Sequence, residues 1–244
     1  MPFLDHLEEL RRRLLKVGLA CVAGAGISWF FVDYMIDILA AFVGQVYFMA
    51  PTEAFLIRLK LAIIMGIVLA VPVIFYQLWK FISPGLYESE KTTVIPVVIA
   101  TTFFFLLGGS FCYFVVLPAA LRFLMGYGTE NMMPLISVAN LLSFCAYMIL
   151  AFGFVFELPI VAFFLGRIGL ITHKTLRKGR RYALVLALVI GAILTPPDPF
   201  SQMLLAGPLV ILYEASIWIV WATGKERKKD DSFEEDEGET GRSG

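Results

Sequence analysis

Glu157 is an acid set inside a long apolar run, two residues before Pro159. A charged side chain at the centre of a membrane span costs about 2.5–3.5 kcal/mol on insertion scales, so it should not face lipid. Proton coupling, a polar contact to a substrate or partner, and the lining of a polar cavity are the chemistries open to it. The structural alternative is a protonated Glu157 that donates to a backbone carbonyl left without its usual N–H by Pro159. Glu214 lies in the last apolar run, close enough to its end to snorkel toward the interface.

Two further segments gather charge beside apolar residues. His6-Leu7-Glu8-Glu9-Leu10-Arg11-Arg12-Arg13-Leu14 reads as a helix start, with Leu7, Leu10 and Leu14 on one side and carboxylates one turn before arginines. Phe81-Ile82-Ser83-Pro84-Gly85-Leu86-Tyr87-Glu88-Ser89-Glu90-Lys91 is a Pro-Gly turn followed by an acidic helix start. A self-paired amphipathic helix and a plain connecting turn account for each segment taken alone.

The elements that position these residues are membrane spans. The chain is 59% hydrophobic, and its mean hydropathy of +0.81 exceeds that of a soluble domain. Apolar runs at 14–32, 61–78, 94–117, 141–165, 182–194 and 200–222 predict an all-α protein of six spans, the last two short. All Lys and Arg except Arg58, Lys60 and Arg122 lie at the two ends or in every second gap between runs. Basic residues near spans resist translocation, so both termini are expected on the cytoplasmic side. The fifth run has thirteen residues, covering only about 20 Å of the ~30 Å hydrocarbon core. Local thinning of the bilayer, or a turn at Thr195-Pro196-Pro197-Asp198-Pro199 inside the membrane, would accommodate it.

Met35, Ile38, Leu39, Phe42, Val43 and Val46 suggest a short helix along the outer interface, and 118–140 suggests a second such cap. The six Lys or Arg residues within 167–181 describe an inside loop contacting anionic lipid. Small residues recur at every fourth position at Ala62, Gly66 and Ala70, and again at Ala183, Ala187 and Gly191. Such stripes let helices approach closely, by internal packing or by docking another membrane helix. Thr195 and Gln202, flanking the Pro-rich turn, make the second stripe the docking candidate. The reading is one membrane domain, 1–224, followed by a disordered charged tail, 225–244. Arg11, Arg12 and Arg13 precede, and Lys16 lies at the start of, a first run that lacks a small-residue cleavage site, so that run is expected to stay in the membrane.

Several function classes fall away. Cys21, Cys112 and Cys145 lie in or beside apolar runs, so neither a disulfide framework nor a metal cluster is implied, and no cofactor. The sequence lacks a phosphate-cradling G-x-x-x-x-G-K-[S/T] loop and the H-E-x-x-H and G-x-S-x-G motifs. Glu8-Glu9 followed by Arg13 fits the E-E-x-x-x-R pattern of membrane CAAX-type proteases, yet these residues precede the first span and the only other histidine, His173, lies in a loop. A proton-coupled solute transporter built on Glu157 would be expected to carry an internal repeat, and none is evident.

Taken together and in this order, the His6–Leu14 and Phe81–Lys91 segments resemble the TatC family, the multi-spanning subunit of the twin-arginine protein translocase. Pro51-Thr52-Glu53-Ala54-Phe55, Phe156-Glu157-Leu158-Pro159 and Leu194-Thr195-Pro196-Pro197-Asp198 extend the match across 3–222. Gly85 departs from it, since many members carry Ala there, and the acidic tail lies outside it.

The resemblance implies a bacterial or archaeal cytoplasmic-membrane receptor and assembly scaffold that binds signal peptides bearing two consecutive arginines. It also implies folded precursors as cargo, single-span TatA/TatB-type partners, self-assembly and drive by the proton motive force. By similarity Glu9 and Glu90 would take the arginines, and Leu10, Phe81, Pro84, Leu86 and Tyr87 would form apolar walls. Arg11 and Arg13 would support the first helix, and Lys91 would flank Glu90. A guanidinium meets a carboxylate through a bidentate fork that lysine cannot offer, which gives this pairing a physical basis. Exposed ion pairs give about 0.2–1 kcal/mol each while micromolar binding needs ~8 kcal/mol, so the signal's apolar segment must supply most of the affinity.

Overall fold

The structure is a computed structural model that describes residues 2–82, 94–126, 135–194 and 199–223. Its described residues form helices joined by turns: α1 (Pro2–Trp29), α2 (Val32–Ala40), α3 (Pro51–Ile82), α4 (Val94–Phe111), α5 (Leu117–Met125), α6 (Val138–Val155), α7 (Leu158–Arg167), α8 (His173–Leu194) and α9 (Pro199–Thr223). One end of the bundle carries the start of α1, the end of α3, Arg167 and the start of α8, and is rich in Lys and Arg. It is called here the basic end and its opposite the far end.

Four stretches are long and apolar enough to cross a membrane: Pro51–Ile82, Ile95–Met125, Val138–Arg167 and Gln202–Thr223. A fifth is reached by counting α1 with α2, which are bent by 72° at their junction. The bend leaves α2 as a separate short helix with Val32 and Leu39 buried; it ends at Ala40, so Met35, Ile38 and Leu39 of the expected helix lie on it while Phe42, Val43 and Val46 lie beyond it.

α3 has 32 residues, about 48 Å, so its ends project beyond ~30 Å of hydrocarbon and carry Glu53 at the far end and Lys80 at the basic end. It packs most extensively on α1. The expected Ala62–Gly66–Ala70 stripe marks that interface: a Cβ on Gly66 would lie 2.4 Å from the Ala25 nitrogen, and one on Gly24 would lie 2.5 Å from the Gly66 carbonyl oxygen.

Several expected boundaries move. The third run continues past 117 to Met125 through a π-helical turn, Cys112–Val116, with the Leu117 N–H donating to the Cys112 carbonyl. Pro118 follows at once. Its ring would crowd the carbonyl four residues back and it has no N–H to offer, and the wider turn relieves both defects. The fourth run is broken at Phe156–Glu157, one residue before α7 restarts at Leu158.

The segment 167–181 is not a loop throughout, because α8 begins at His173, where the Thr172 hydroxyl accepts from the Thr175 N–H at 3.2 Å. Thus α8 is 22 residues long, although its apolar part starts only near Tyr182. α9, expected to be short, has 25 residues and passes the length requirement. Glu214 does more than snorkel: it accepts an ion-paired hydrogen bond from Arg180 at 2.6 Å. The Tyr213 hydroxyl adds a bond to the Leu176 carbonyl at 2.8 Å, so the basic start of α8 is tied to α9.

The core forms two clusters. One joins α2, α3, the π turn, α5, α6, α8 and α9 around Leu117, Leu142, Met148 and Leu205. The other, nearer the basic end, joins α3, α4 and α7 around Phe75, Trp79, Phe105 and Phe164. The α6–α7 break falls between them, after Phe156 of the first cluster and before Ile160 of the second.

Candidate functional site

At the basic end, Asp5, Glu8, Glu9, Arg12, Arg13 and Lys16 of α1 and Lys80 of α3 line an open groove of about 430 Å³. Helical spacing puts Glu9 and Arg13 one turn apart on the face of α1 that meets α3. The Arg13 side chain is 15% exposed; its Nε donates to Glu9 Oε1 at 3.0 Å, and a second guanidinium nitrogen engages the same oxygen. Nη1 reaches Gln77 Oε1 of α3 at 3.4 Å. The Arg13 hydrogen bond holds the Glu9 carboxyl below the ordinary carboxylate range; partial desolvation opposes this, and the charges of Arg13, His6 and Arg12 support it.

Glu9 is therefore an ionised acceptor with unequal oxygens. Oε1 is engaged by Arg13, whereas Oε2 lies 3.9 Å from His6 Nδ1, beyond hydrogen-bond distance. The His6 ring stacks on Phe81 with centroids 4.4 Å apart and planes 20° apart, which fixes the beginning of α1 against the end of α3. Leu10 and Arg11 are exposed beside this contact, and Arg12 pairs loosely with Glu8 at 3.7 Å. Pro84, Leu86, Tyr87, Glu90 and Lys91 lie outside the described residues. Periodicity hides Gln77, because it is a single amide in a long apolar helix; its place one turn before Phe81 is the only sequence signal of its role.

Glu157 is 5% exposed at the α6–α7 break. Its N–H donates to the Phe154 carbonyl at 3.1 Å, and its carbonyl accepts from Ile160 and Val161 at 3.0 and 2.9 Å. Both carboxylate oxygens are buried with no hydrogen-bond partner among the described residues. The bond to a freed carbonyl expected of a purely structural Glu157 is thus not formed here. α4 and α6 approach closely beside this break: a Cβ on Gly108 would lie 2.5 Å from the Phe152 carbonyl oxygen, and one on Gly153 would lie 2.7 Å from the Phe105 ring.

The fifth-span stripe packs inward. Ala187 and Gly191 are buried and Ala183 is half-buried, while a Cβ on Gly191 would lie 3.1 Å from Gln202 Cγ. Gln202 donates from Nε2 to the Leu188 carbonyl at 2.8 Å, joining α9 to α8. The other face of α8 exposes Val185, Leu186, Val189 and Ile193. Thr195 lies outside the described residues.

The far end holds polar contacts that sequence periodicity does not single out. Tyr47 pairs with the strand-like entry to α6, its N–H donating to the Ile136 carbonyl at 3.0 Å and its carbonyl accepting from Val138 at 2.9 Å. Glu53, in the first turn of α3, accepts from the Met49 N–H at 2.6 Å, the Ser137 hydroxyl at 2.6 Å and the Ala139 N–H at 3.1 Å. These bonds pull its carboxyl below the ordinary range, that from Ser137 most. Arg58 pairs with Asp33 at 2.8 Å, and Lys60 donates to the Ser143 hydroxyl at 3.0 Å while lying 5.5 Å from the centroid of the Tyr147 ring.

Comparison with known proteins agrees along the length of the chain. The family described as Sec-independent protein translocase protein (TatC) matches residues 5–208. A protein of Desulforapulum autotrophicum bearing that name is 43% identical over 94% of this chain and 88% of its own length. Its namesake in Aquifex aeolicus is 40% identical over 94% and 98%. A crystal structure described as the twin arginine translocase receptor TatC superposes with a TM-score of 0.82 at 41% identity, covering 89% of this chain and 99% of that one.

Proposed function

The chain belongs to the TatC family of Sec-independent protein translocase proteins, and from that premise we propose that it is the receptor for twin-arginine signal peptides and the scaffold on which the translocase assembles. It is a multi-pass helical membrane protein and a transport component rather than an enzyme. The proposal rests on Glu9: an acid held ionised in an open groove, with one oxygen directed by Arg13 and the other unbonded among the described residues. An incoming guanidinium takes Oε2, and displacement of Arg13 from Oε1 would convert that contact to the bidentate form. Glu90 supplies the second carboxylate. Leu10, Phe81, Pro84, Leu86 and Tyr87 flank the peptide, and Arg11, Arg13 and Lys91 set the local charge.

The signal's apolar segment lies along the membrane helices and supplies most of the affinity, while the arginine pair sets register and discrimination. The basic end faces the cytoplasm of a bacterial or archaeal cell, with six spans and both termini inside; residues 225–244 form a charged tail. α8 is the fifth span, its thirteen-residue apolar part crossing a locally thinned bilayer.

Six helices do not enclose a passage for a folded protein, so single-span TatA/TatB-type subunits and further copies of this chain complete the machine, powered by the proton motive force. The buried, unbonded carboxyl of Glu157 offers such a partner a polar contact, and the exposed face of α8 opposite the inward-packed stripe, near Gln202 and Thr195, offers a docking edge. The decisive measurement is binding of a twin-arginine peptide and its twin-lysine counterpart to the purified chain. A clear preference for arginine, abolished by Glu90→Ala or Glu9→Ala in protein that still melts cooperatively, is expected. Equal binding of both peptides, or an unchanged preference in both variants, would refute the receptor assignment.

A further inference from the structure

Beneath α2 lies a second cavity, of about 120 Å³, whose walls are entirely apolar. Met35, Ile38 and Leu39 roof it from α2, Leu61, Ile64, Met65 and Val68 come from α3, Tyr113 from the π turn, and Ala146 and Ile149 from α6. A dry apolar cavity of this class binds small apolar groups; an engineered one of about 150 Å³ takes benzene. Water gains nothing here, because a water needs two or more polar partners.

The rim toward the far end is different. Lys60 precedes the pocket residue Leu61 and lies one helical turn before Ile64, while Ser143 lies one turn before Ala146. The Lys60–Ser143 hydrogen bond therefore closes the α3–α6 wall one turn toward the bilayer surface from the pocket. Lys60 is half-buried and has no acidic partner among the described residues, since nearby Arg58 takes Asp33 and Glu53 is occupied by Ser137, Met49 and Ala139. An ammonium has three donors, and one of them goes to Ser143. An apolar slot with a cation one turn nearer the surface has the polarity of a phospholipid: chain below, phosphate above.

We infer that this pocket holds the first few methylenes of an acyl chain of an anionic phospholipid from the leaflet at the far end, with Lys60 meeting its phosphate. The Tyr147 ring beneath it and the Ser143 hydroxyl orient the ammonium, and Met35, Ile38 and Leu39 of α2 cover the methylenes nearest the headgroup. The site is independent of the peptide groove and of which end faces the cytoplasm.

Native mass spectrometry of the full chain in mild detergent, titrated with phosphatidylglycerol and with phosphatidylethanolamine of the same chains, tests this. Phosphatidylglycerol should be retained about five-fold more strongly, the factor expected for one lysine at an anionic headgroup. Lys60→Gln should bring the two lipids together, Lys60→Arg should keep the preference, and Ala146→Phe, which fills the pocket, should lower retention of both. A phosphatidylglycerol with a photoreactive acyl chain should label peptides containing Met35–Leu39 or Leu61–Val68. Equal retention in the parent protein, a preference unchanged by Lys60→Gln, or labelling confined to other segments would each overturn the inference. The lysine variants and the labelling decide the matter even if Ala146→Phe does not fold.

Discussion

Arg13 is both support and competitor for Glu9. Its hydrogen bond lowers the carboxyl's proton affinity, so Glu9 stays charged through the ordinary glutamate range near 4.5 and protonates only at lower pH. The interaction is fully present above the unfolded-state value and is lost as pH falls through the depressed folded value. Arg13→Gln should move the low-pH limit of twin-arginine peptide binding upward, toward the ordinary range. A pH profile of binding for the two proteins checks this, and coincident profiles would contradict the role given to Arg13. Gln77→Leu should loosen Arg13 without removing it, giving a smaller shift in the same direction. Glu157 behaves differently: with no hydrogen-bond partner among the described residues, Glu157→Gln should leave the melting temperature of the isolated chain nearly unchanged while lowering transport by the assembled translocase. A large loss of thermal stability would mean that the carboxyl is part of the internal packing instead.

Among the elements, the α1–α3 crossing depends on backbone contact. Gly66→Leu must force Ala25 and its neighbours apart, a destabilisation of about 1–3 kcal/mol or more, whereas a Cβ at Gly26, on the opposing helix α1, meets nothing within 4 Å, so Gly26→Leu leaves the crossing intact. Comparison of the two melting temperatures isolates the crossing from the general cost of replacing glycine. At the other end of α3, Glu53 fastens the start of α6. The hydrogen bonds hold its carboxyl below the ordinary range, so this fastening is complete at neutral pH and lost only as pH falls through the depressed folded value. Hydrogen exchange at 135–141 should accelerate in Glu53→Gln at pH 7 and in the parent protein only under acid conditions.

Much of this arrangement was legible in the sequence. Four of the six apolar runs as membrane-length helices, a short helix after the first run and the charge gathered at the basic end follow from hydropathy and charge alone. What escaped were boundaries decided by backbone chemistry. The π turn before Pro118 lies among apolar residues, so no compositional change marks it, and the Glu157 and Pro159 that mark the second break are equally compatible in sequence with an unbroken helix carrying one freed carbonyl. The start of α8 at His173 was masked by its charge, because a helix whose early turns are paired to Glu214 and Tyr213 reads, in one dimension, as a basic loop. Gln77 and Glu53 were hidden because their partners lie 64 and 84 positions away.

At the scale of the molecule, the four membrane-length stretches among the described residues bury only 33–44% of their most apolar eighteen residues within the chain. The remainder must meet lipid or neighbouring helices, which fits a scaffold better than a self-enclosed transporter. Cysteines placed at Val189 and Ile193, on the exposed face of α8, should crosslink to a single-span subunit in assembled complexes, while Ala187→Cys, buried against α9, should not. Uniform labelling of the α8 positions by lipid-phase reagents, with no crosslink, would move the docking edge elsewhere.

The turn at Cys112–Val116 accommodates one residue more than an ordinary helical turn would. Winding the same residues as plain α-helix, without that extra room, would rotate everything beyond them by roughly 100°. Leu117, Ala120 and Leu121, now against the core, would swing outward and carry the following connection with them. The insertion thus acts as a phase adjuster, matching the upper part of that rod to neighbours the lower part could not otherwise serve.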